Sequence, residues 1–162
     1  MLKDQTQQFF QSLQDTICLR LESADGKEHF REDVWKHHDE GQQPDAQGGG
    51  RTRVMENGAI FEKAGVSFSA INSKLTGRLA DALAVLPQRT FATGISIIIH
   101  PFSPMIPAIH MNLRYLELEH GKAWFGGGID LTPFYLFDED ARFFHQTLKK
   151  TCDKHDSSFY PR

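Results

Sequence analysis

The chain lacks the features that tie a protein to a membrane, to nucleic acid or to an oxidising compartment. No apolar run approaches the ~20 residues of a membrane helix, and the opening "MLKDQTQQFF" has no basic segment followed by an apolar one. A net charge of −3 over 162 residues is too mild for a binder of nucleic acid by general electrostatics. These absences read as a cytoplasmic protein with no membrane span and no nucleic-acid partner. Only two cysteines occur, Cys18 and Cys152. No CxxC or Cys/His cluster surrounds them, so reduced thiols inside helices are expected rather than a disulfide or metal site. No GxGxxG, no GxxxxGK[ST] and no HExxH is present.

What the chain does have fits one domain, residues 1–162, long enough to bury most of its apolar surface. Thirteen phenylalanines against three tyrosines and two tryptophans point to a large, dry core. Residues 4–22 carry Phe10, Leu13, Ile17 and Leu21 at helical spacing. "HFREDVW" alternates as a short strand, and residues 39–50, "DEGQQPDAQGGG", have no apolar content and read as a mobile loop. Asn57-Gly58 between apolar runs signals a hairpin. "SKLTGRLADALAVL" reads as a helix capped by Ser73, with Leu75, Leu79, Ala82 and Leu86 on one side. "TFATGISIIIH", "AIHMNLRYLELE" and "KAWFGGGI" read as strands, with "PFSPMIP" an ordered turn between the first two. Residues 138–155 read as a final helix, capped by Asp138, with Ala141, His145, Leu148 and Cys152 on one face. The order implies an α+β fold, a mostly antiparallel sheet covered by helices.

The chemistry concentrates in "IIIHPFSPMIPAIHMNLRYLELE". Ile109, Met111, Leu113 and Tyr115 fall on one face of a strand, and His110, Asn112 and Arg114 on the other. His110 is the acid–base candidate, because imidazole titrates in the range proton transfer requires. The competing reading is a solvated strand edge. Arg114 is able to fork onto a substrate carboxylate, or to pair with Glu117 or Glu119. His100, His110 and His145 are able to meet at one end of the sheet around a metal, although no tight ligand spacing supports it. In "WFGGGIDLTP", three glycines weaken a strand unless something approaches the backbone, and Asp130 is either an Asx turn or a carboxylate at the mouth of the sheet. The arginines of "GGGRTR" either bind carboxylates or solubilise a loop.

"GGGRTRV", "FEKAGVSFS", "GISIIIHP", "IPAIHMNLRY", "WFGGGIDLTPFY" and "FYPR" follow one another in register along the whole chain. Together they resemble the oxygen-dependent coproporphyrinogen III oxidases of haem biosynthesis. The resemblance implies oxidative decarboxylation of two propionates of coproporphyrinogen III to vinyls, giving protoporphyrinogen IX. Molecular oxygen is the oxidant, and no organic cofactor is needed. It implies a flat antiparallel sheet between layers of helices, assembled as a homodimer. It makes His110 the proton donor, has Asp130 bond the pyrrole N–H groups, and makes Ser96, Asn112 and Arg114 substrate contacts. His100, His110 and His145 match a proposed set of ligands for a divalent metal such as manganese. Ser103, Ala123 and Ser67 depart from the family's usual Asn, Trp and Asn. Family members are longer, so the resemblance makes this chain the N-terminal half of the domain, incomplete at its C-terminal end. The rivals are a cupin-like metal-binding barrel, which the long helices do not suit, and a non-catalytic paralogue that binds tetrapyrrole or a partner subunit.

Overall fold

The computed structural model describes residues 2–37 and 46–160, without the side chains of Leu79 and Ala82. The chain opens with helix α1 (Leu2–Asp25), longer at both ends than its apolar repeat. Strands β1 (Arg31–Lys36), β2 (Gln47–Glu56) and β3 (Phe61–Leu75) follow. A short helix α2 (Gly77–Ala82) leads to β4 (Gln88–Pro101), β5 (Ala108–Leu118) and β6 (Ala123–Thr132). Helix α3 (Asp138–Cys152) and a 3-10 turn (Ser157–Phe159) come last. The six strands pair antiparallel in sequence order, β1 to β6, so the sheet is a simple meander. This is the α+β architecture expected of the alternating pattern.

Helix α1 covers one face of the sheet. Phe10 and Cys18 are buried against Val66, Phe68, Ile95, Ile97 and Tyr115, with Leu13, Ile17 and Leu21 packed around them. Periodicity misses the middle of the helix's buried stripe, Gln14, which is fully buried. Its amide donates to the carbonyls of Arg51 at 2.7 Å and Val66 at 2.8 Å and accepts from Arg51 Nε at 2.6 Å. A buried amide is tolerable only with its partners supplied.

The end of α1 is fixed by Asp25. Gly26 turns the chain at φ +71°, and the Asp25 carboxylate accepts backbone N–H bonds from Lys27, Glu28, Ala59, Ile60 and Phe61. Helix α1 and the β2–β3 hairpin tip thus close on one carboxylate. Burial alone would raise the Asp25 carboxyl, but the backbone donors outweigh it and hold it well below the usual carboxylate range. Asn57 takes the left-handed conformation at φ 59°, as its place in the hairpin requires.

Four expectations change. Residues 39–45 lie outside the described residues, but Gln47–Gly50 belong to β2 and not to a loop. A Cβ at Gly48 would collide with the Ala70 carbonyl and one at Gly50 with the Trp35 ring, so these glycines serve close strand approach rather than flexibility. Ser73 is no helix cap, because β3 runs to Leu75 and α2 occupies only Gly77–Ala82. Of the proposed leucine stripe, Leu75 is buried with Leu118 and Ala80 while Leu86 is exposed. The cap of α3 is the backbone of Phe137, without a side-chain bond, and α3 buries none of its residues. Only Ala141, Phe144, Leu148 and Cys152 of this helix are half-buried, and His145, expected on the same face, is exposed. Both cysteines are free, Cys18 buried and Cys152 half-buried, and burial pushes the Cys18 thiol up.

The second face of the sheet is covered only at one end. There Leu75, Ala80, Leu83, Val85, Leu116, Leu118 and Trp124 form a small cluster around α2. Among the described residues, the rest of that face is open.

Candidate functional site

Strand pairing aligns the polar residues of the open face into cross-strand rows. One row runs Thr52, Ser67, Ser96, Asn112, Gly128 across β2 to β6. The next runs Trp35, Gly50, Ser69, Gly94, Arg114, Gly126 across all six strands. The row on the other side ends Gly65, Ile98, His110, Asp130. Directly paired residues share a face, so Ser96, His110, Asn112, Arg114 and Asp130 all belong to one surface. Glycine, serine and threonine fill most of what lies between them. The result is a low, flat floor with few projecting side chains.

His110 and Asp130 form a hydrogen-bonded pair on this floor. The His110 Nδ1 lies 2.8 Å from Asp130 Oδ1, and Thr132 Oγ1 donates to the same oxygen at 2.9 Å. The hydrogen bond from His110 comes first, and that from Thr132 second, in holding the Asp130 carboxyl below its ordinary value. An ionised Asp130 makes His110 carry its proton on Nδ1. The other ring nitrogen, Nε2, faces His100 Nε2 at 3.1 Å, so in the neutral pair His100 donates and His110 accepts. Asp130 Oδ2 makes no hydrogen bond among the described residues, and it is left to accept from a ligand.

Arg114 is exposed and makes no ion pair among the described residues. Its proposed alternative partners are engaged elsewhere. Glu117 accepts the Tyr115 hydroxyl at 2.5 Å, and Glu119 accepts the Arg89 backbone N–H at 3.1 Å. Burial, then the Glu117 carboxylate, pushes the Tyr115 phenol up to about 12. A guanidinium left unpaired on an open polar floor is ready for a carboxylate. The arginines of "GGGRTR" are not: they lie on the α1 side, where Arg51 and Arg53 both reach Asp15, at 2.7 and 2.8 Å, and Arg53 also holds Glu32 at 2.7 Å.

The three histidines do not converge. His100 and His110 meet, but His145 on α3 lies 2.8 Å from the Tyr160 hydroxyl through its Nδ1. His145 and Asp130 instead line a cavity of about 330 Å3 with Ile129, Leu136, Phe137 and Phe144. Among the described residues no three His, Cys, Asp or Glu side chains are grouped to hold an ion. The residues described therefore do not fit the expected three-histidine metal set.

Sequence alternation marked His110, Asn112 and Arg114 as one face. It did not bring Asp130, Ser96, Thr132 or Trp35 to them. That information lies in the strand register, which no single strand's pattern contains.

A family model described as coproporphyrinogen III oxidase matches residues 5–162. The chain is 41% identical over 165 residues to the chloroplastic oxygen-dependent coproporphyrinogen-III oxidase of Nicotiana tabacum. That similarity covers 92% of this chain and 40% of the tobacco protein, so the chain spans about two fifths of that relative's length. With a matching domain along nearly its whole length and 41% identity to the tobacco protein, the chain belongs to the coproporphyrinogen III oxidase family.

Proposed function

We propose that the open face binds coproporphyrinogen III and carries its oxygen-dependent oxidative decarboxylation in haem biosynthesis. The observation that supports this most is the His110–Asp130 pair sharing a flat floor with the unpaired Arg114. A large ring bearing four carboxylates needs a broad surface with few projections, a cation at its rim and an acceptor under its pyrrole N–H groups. The floor of glycines and serines, Arg114 and Asp130 Oδ2 have those properties. Ser96 and Asn112, paired in the same row, offer neutral hydrogen bonds between them.

For each propionate, the Cβ–H bond pair passes by way of the electron-rich pyrrole to oxygen. The C–CO2 bond pair becomes the vinyl double bond. One propionate, one O2 and one proton thus give one vinyl, one CO2 and one H2O2. An ionised Asp130 that accepts a pyrrole N–H raises the electron density of that ring. His110 is fixed through Nδ1 by Asp130, and it exchanges protons at Nε2, with His100 as its neighbour. The floor excludes water from one side of the ring.

Assembly as a homodimer and action in the cytoplasm belong to the same proposal. No step is assigned to manganese or another divalent ion, because the described residues supply two convergent imidazoles and no third ligand.

The test loads the chain anaerobically with coproporphyrinogen III and then admits oxygen. Formation of vinyl product with stoichiometric CO2 is expected. His110→Ala should lower its rate by about 10²-fold while binding changes little, the scale of a general acid–base group. Binding without turnover would favour a non-catalytic tetrapyrrole-binding paralogue, and equal rates in the two proteins would remove His110 from the mechanism.

A further inference from the structure

Trp35 stands on the same face as Arg114 and in the same cross-strand row, on the edge strand β1, four strands away from β5. Its indole does not project from β1 into solvent as an edge-strand side chain usually does. A Cβ at Gly50 would collide with ring atoms Cζ2 and Cε2, so the ring lies down over the Gly50 backbone. Its Nε1–H donates to Thr52 Oγ1 at 3.2 Å, which fixes the ring's tilt. Thr52, paired with Asp33 on β1, belongs to the row that leads through Ser67 and Ser96 to Asn112. Trp35 is only half-buried, so part of the ring remains accessible.

A half-buried tryptophan on an edge strand invites a bland explanation, a cover for the strand's own backbone. That does not account for the hydrogen bond to Thr52, which holds the ring along the sheet towards the open floor. A Cβ at position 50 would meet both the Trp35 ring and the Phe68 carbonyl oxygen, so glycine there serves the strand contact and leaves room for the indole to lie flat. The row therefore reads aromatic plate, glycine, serine, glycine, guanidinium. From Trp35 to Arg114 is four strand spacings, about 19 Å at the usual inter-strand distance. That is the scale of a tetrapyrrole with its carboxylate arms extended.

We infer that Trp35 is a further substrate-contact residue of the proposed site, an aromatic platform under the part of the macrocycle farthest from Arg114. It sets which ring substituents fit at that end. The inference rests on the reading of the open face as the coproporphyrinogen site. A flat indole gives apolar contact to a pyrrole ring or its methyl groups and disfavours a charged arm laid across it. Arg114 takes a carboxylate at one end of the row, and Trp35 takes an uncharged edge at the other. Binding orientation then follows from the asymmetry of the floor.

The experiment uses the whole chain, with Trp124→Phe as background so that Trp35 is the sole indole emitter. Coproporphyrin III is the fluorescence probe, and anaerobic coproporphyrinogen III is used for kinetics. Strong quenching of Trp35 on titration is expected. Trp35→Ala should weaken affinity about tenfold and Trp35→Phe less, the range of an aromatic contact. Any loss should appear in KM, with kcat and the melting temperature of Trp35→Phe close to those of the parent. If the parent binds coproporphyrin III but Trp35 is not quenched and both variants keep parental affinity, Trp35 has no contact with substrate and only this inference falls. If the parent binds no coproporphyrin III, the reading of the open face falls and the role of Trp35 with it.

Discussion

Ile97 and Ile98 are neighbours in β4, yet one is 3% exposed and the other 50%. Ile97 faces α1 and packs into the main core. Ile98 faces the open side, directly across from His110. The same contrast runs through β3, β4 and β5. On the covered face stand Val66, Phe68, Ile95 and Tyr115. On the open face, the residues between them are Gly65, Ser67, Ser69, Gly94, Ser96, Asn112 and Arg114. The comparison teaches a division of labour. One face of each strand packs the core against α1, and the other carries glycine, serine and few bulky side chains, which suits the flat ligand of the proposed site. A strand that needed both faces for its core would have no surface left to bind with.

The largest effect is expected on the covered side. Phe10 is almost fully buried at the centre of the α1 contact. Phe10→Ala should cost about 3–5 kcal/mol, the range for truncating a buried aromatic, measured by urea unfolding. A loss near that of a surface substitution would mean that the sheet stands without α1. On the open side, Arg114→Ala should leave unfolding unchanged and raise KM for coproporphyrinogen about tenfold, through loss of a charge-assisted carboxylate contact. Arg114→Lys should recover part of the loss, because charge is kept and the bidentate fork is not. If Arg114→Ala instead destabilises the fold while leaving KM alone, the division between the faces is wrong at that position.

A smaller effect separates the two faces by pH. The folded-state pKa of Asp25 is depressed, so its contribution is present above the ordinary carboxylate pKa of about 3.9. It is lost as pH falls below that value towards the folded-state one. Asp25→Asn should flatten the acid limb of the stability profile and leave the region above pH ~5 with little slope from this group. Asp130 is depressed in the same direction, chiefly by His110 and next by Thr132, but it is exposed. Asp130→Asn should therefore act on turnover more than on acid stability. An unchanged acid limb in Asp25→Asn would show that the hairpin tip holds without the carboxylate.

Much of the covered face was legible in the sequence, because burial leaves a periodic signature. Phe10, Leu13, Ile17 and Leu21 mark α1, and the alternation from Ile109 to Tyr115 marks β5. Asn57-Gly58 gave the hairpin, although its closure on Asp25 depends on a residue far back in the chain. The failures have specific causes. Gly48–Gly50 suggest a loop by composition, but they are strand residues whose missing side chains make room for Ala70 and Trp35. Leu75 suggests a helix by its spacing to Leu79, yet it is the last residue of β3. One member of the His110–Asp130 pair was visible as His110 on a polar strand face. Its partner Asp130 was ambiguous until β5 and β6 were set in register, because pairing is a property of two strands and alternation a property of one.

The most direct test of the comparison between the two faces uses Ile97 and Ile98 themselves. With the isoleucine methyl groups labelled with 13C, coproporphyrin III is titrated into the chain and methyl resonances are followed by NMR. The ring current of a bound macrocycle should displace the Ile98 methyls strongly. The methyls of Ile97, and of Ile17 on α1, should stay near their free positions. Displacement of Ile97 and Ile17 with Ile98 unmoved would place the ligand on the helix-covered face and contradict the account.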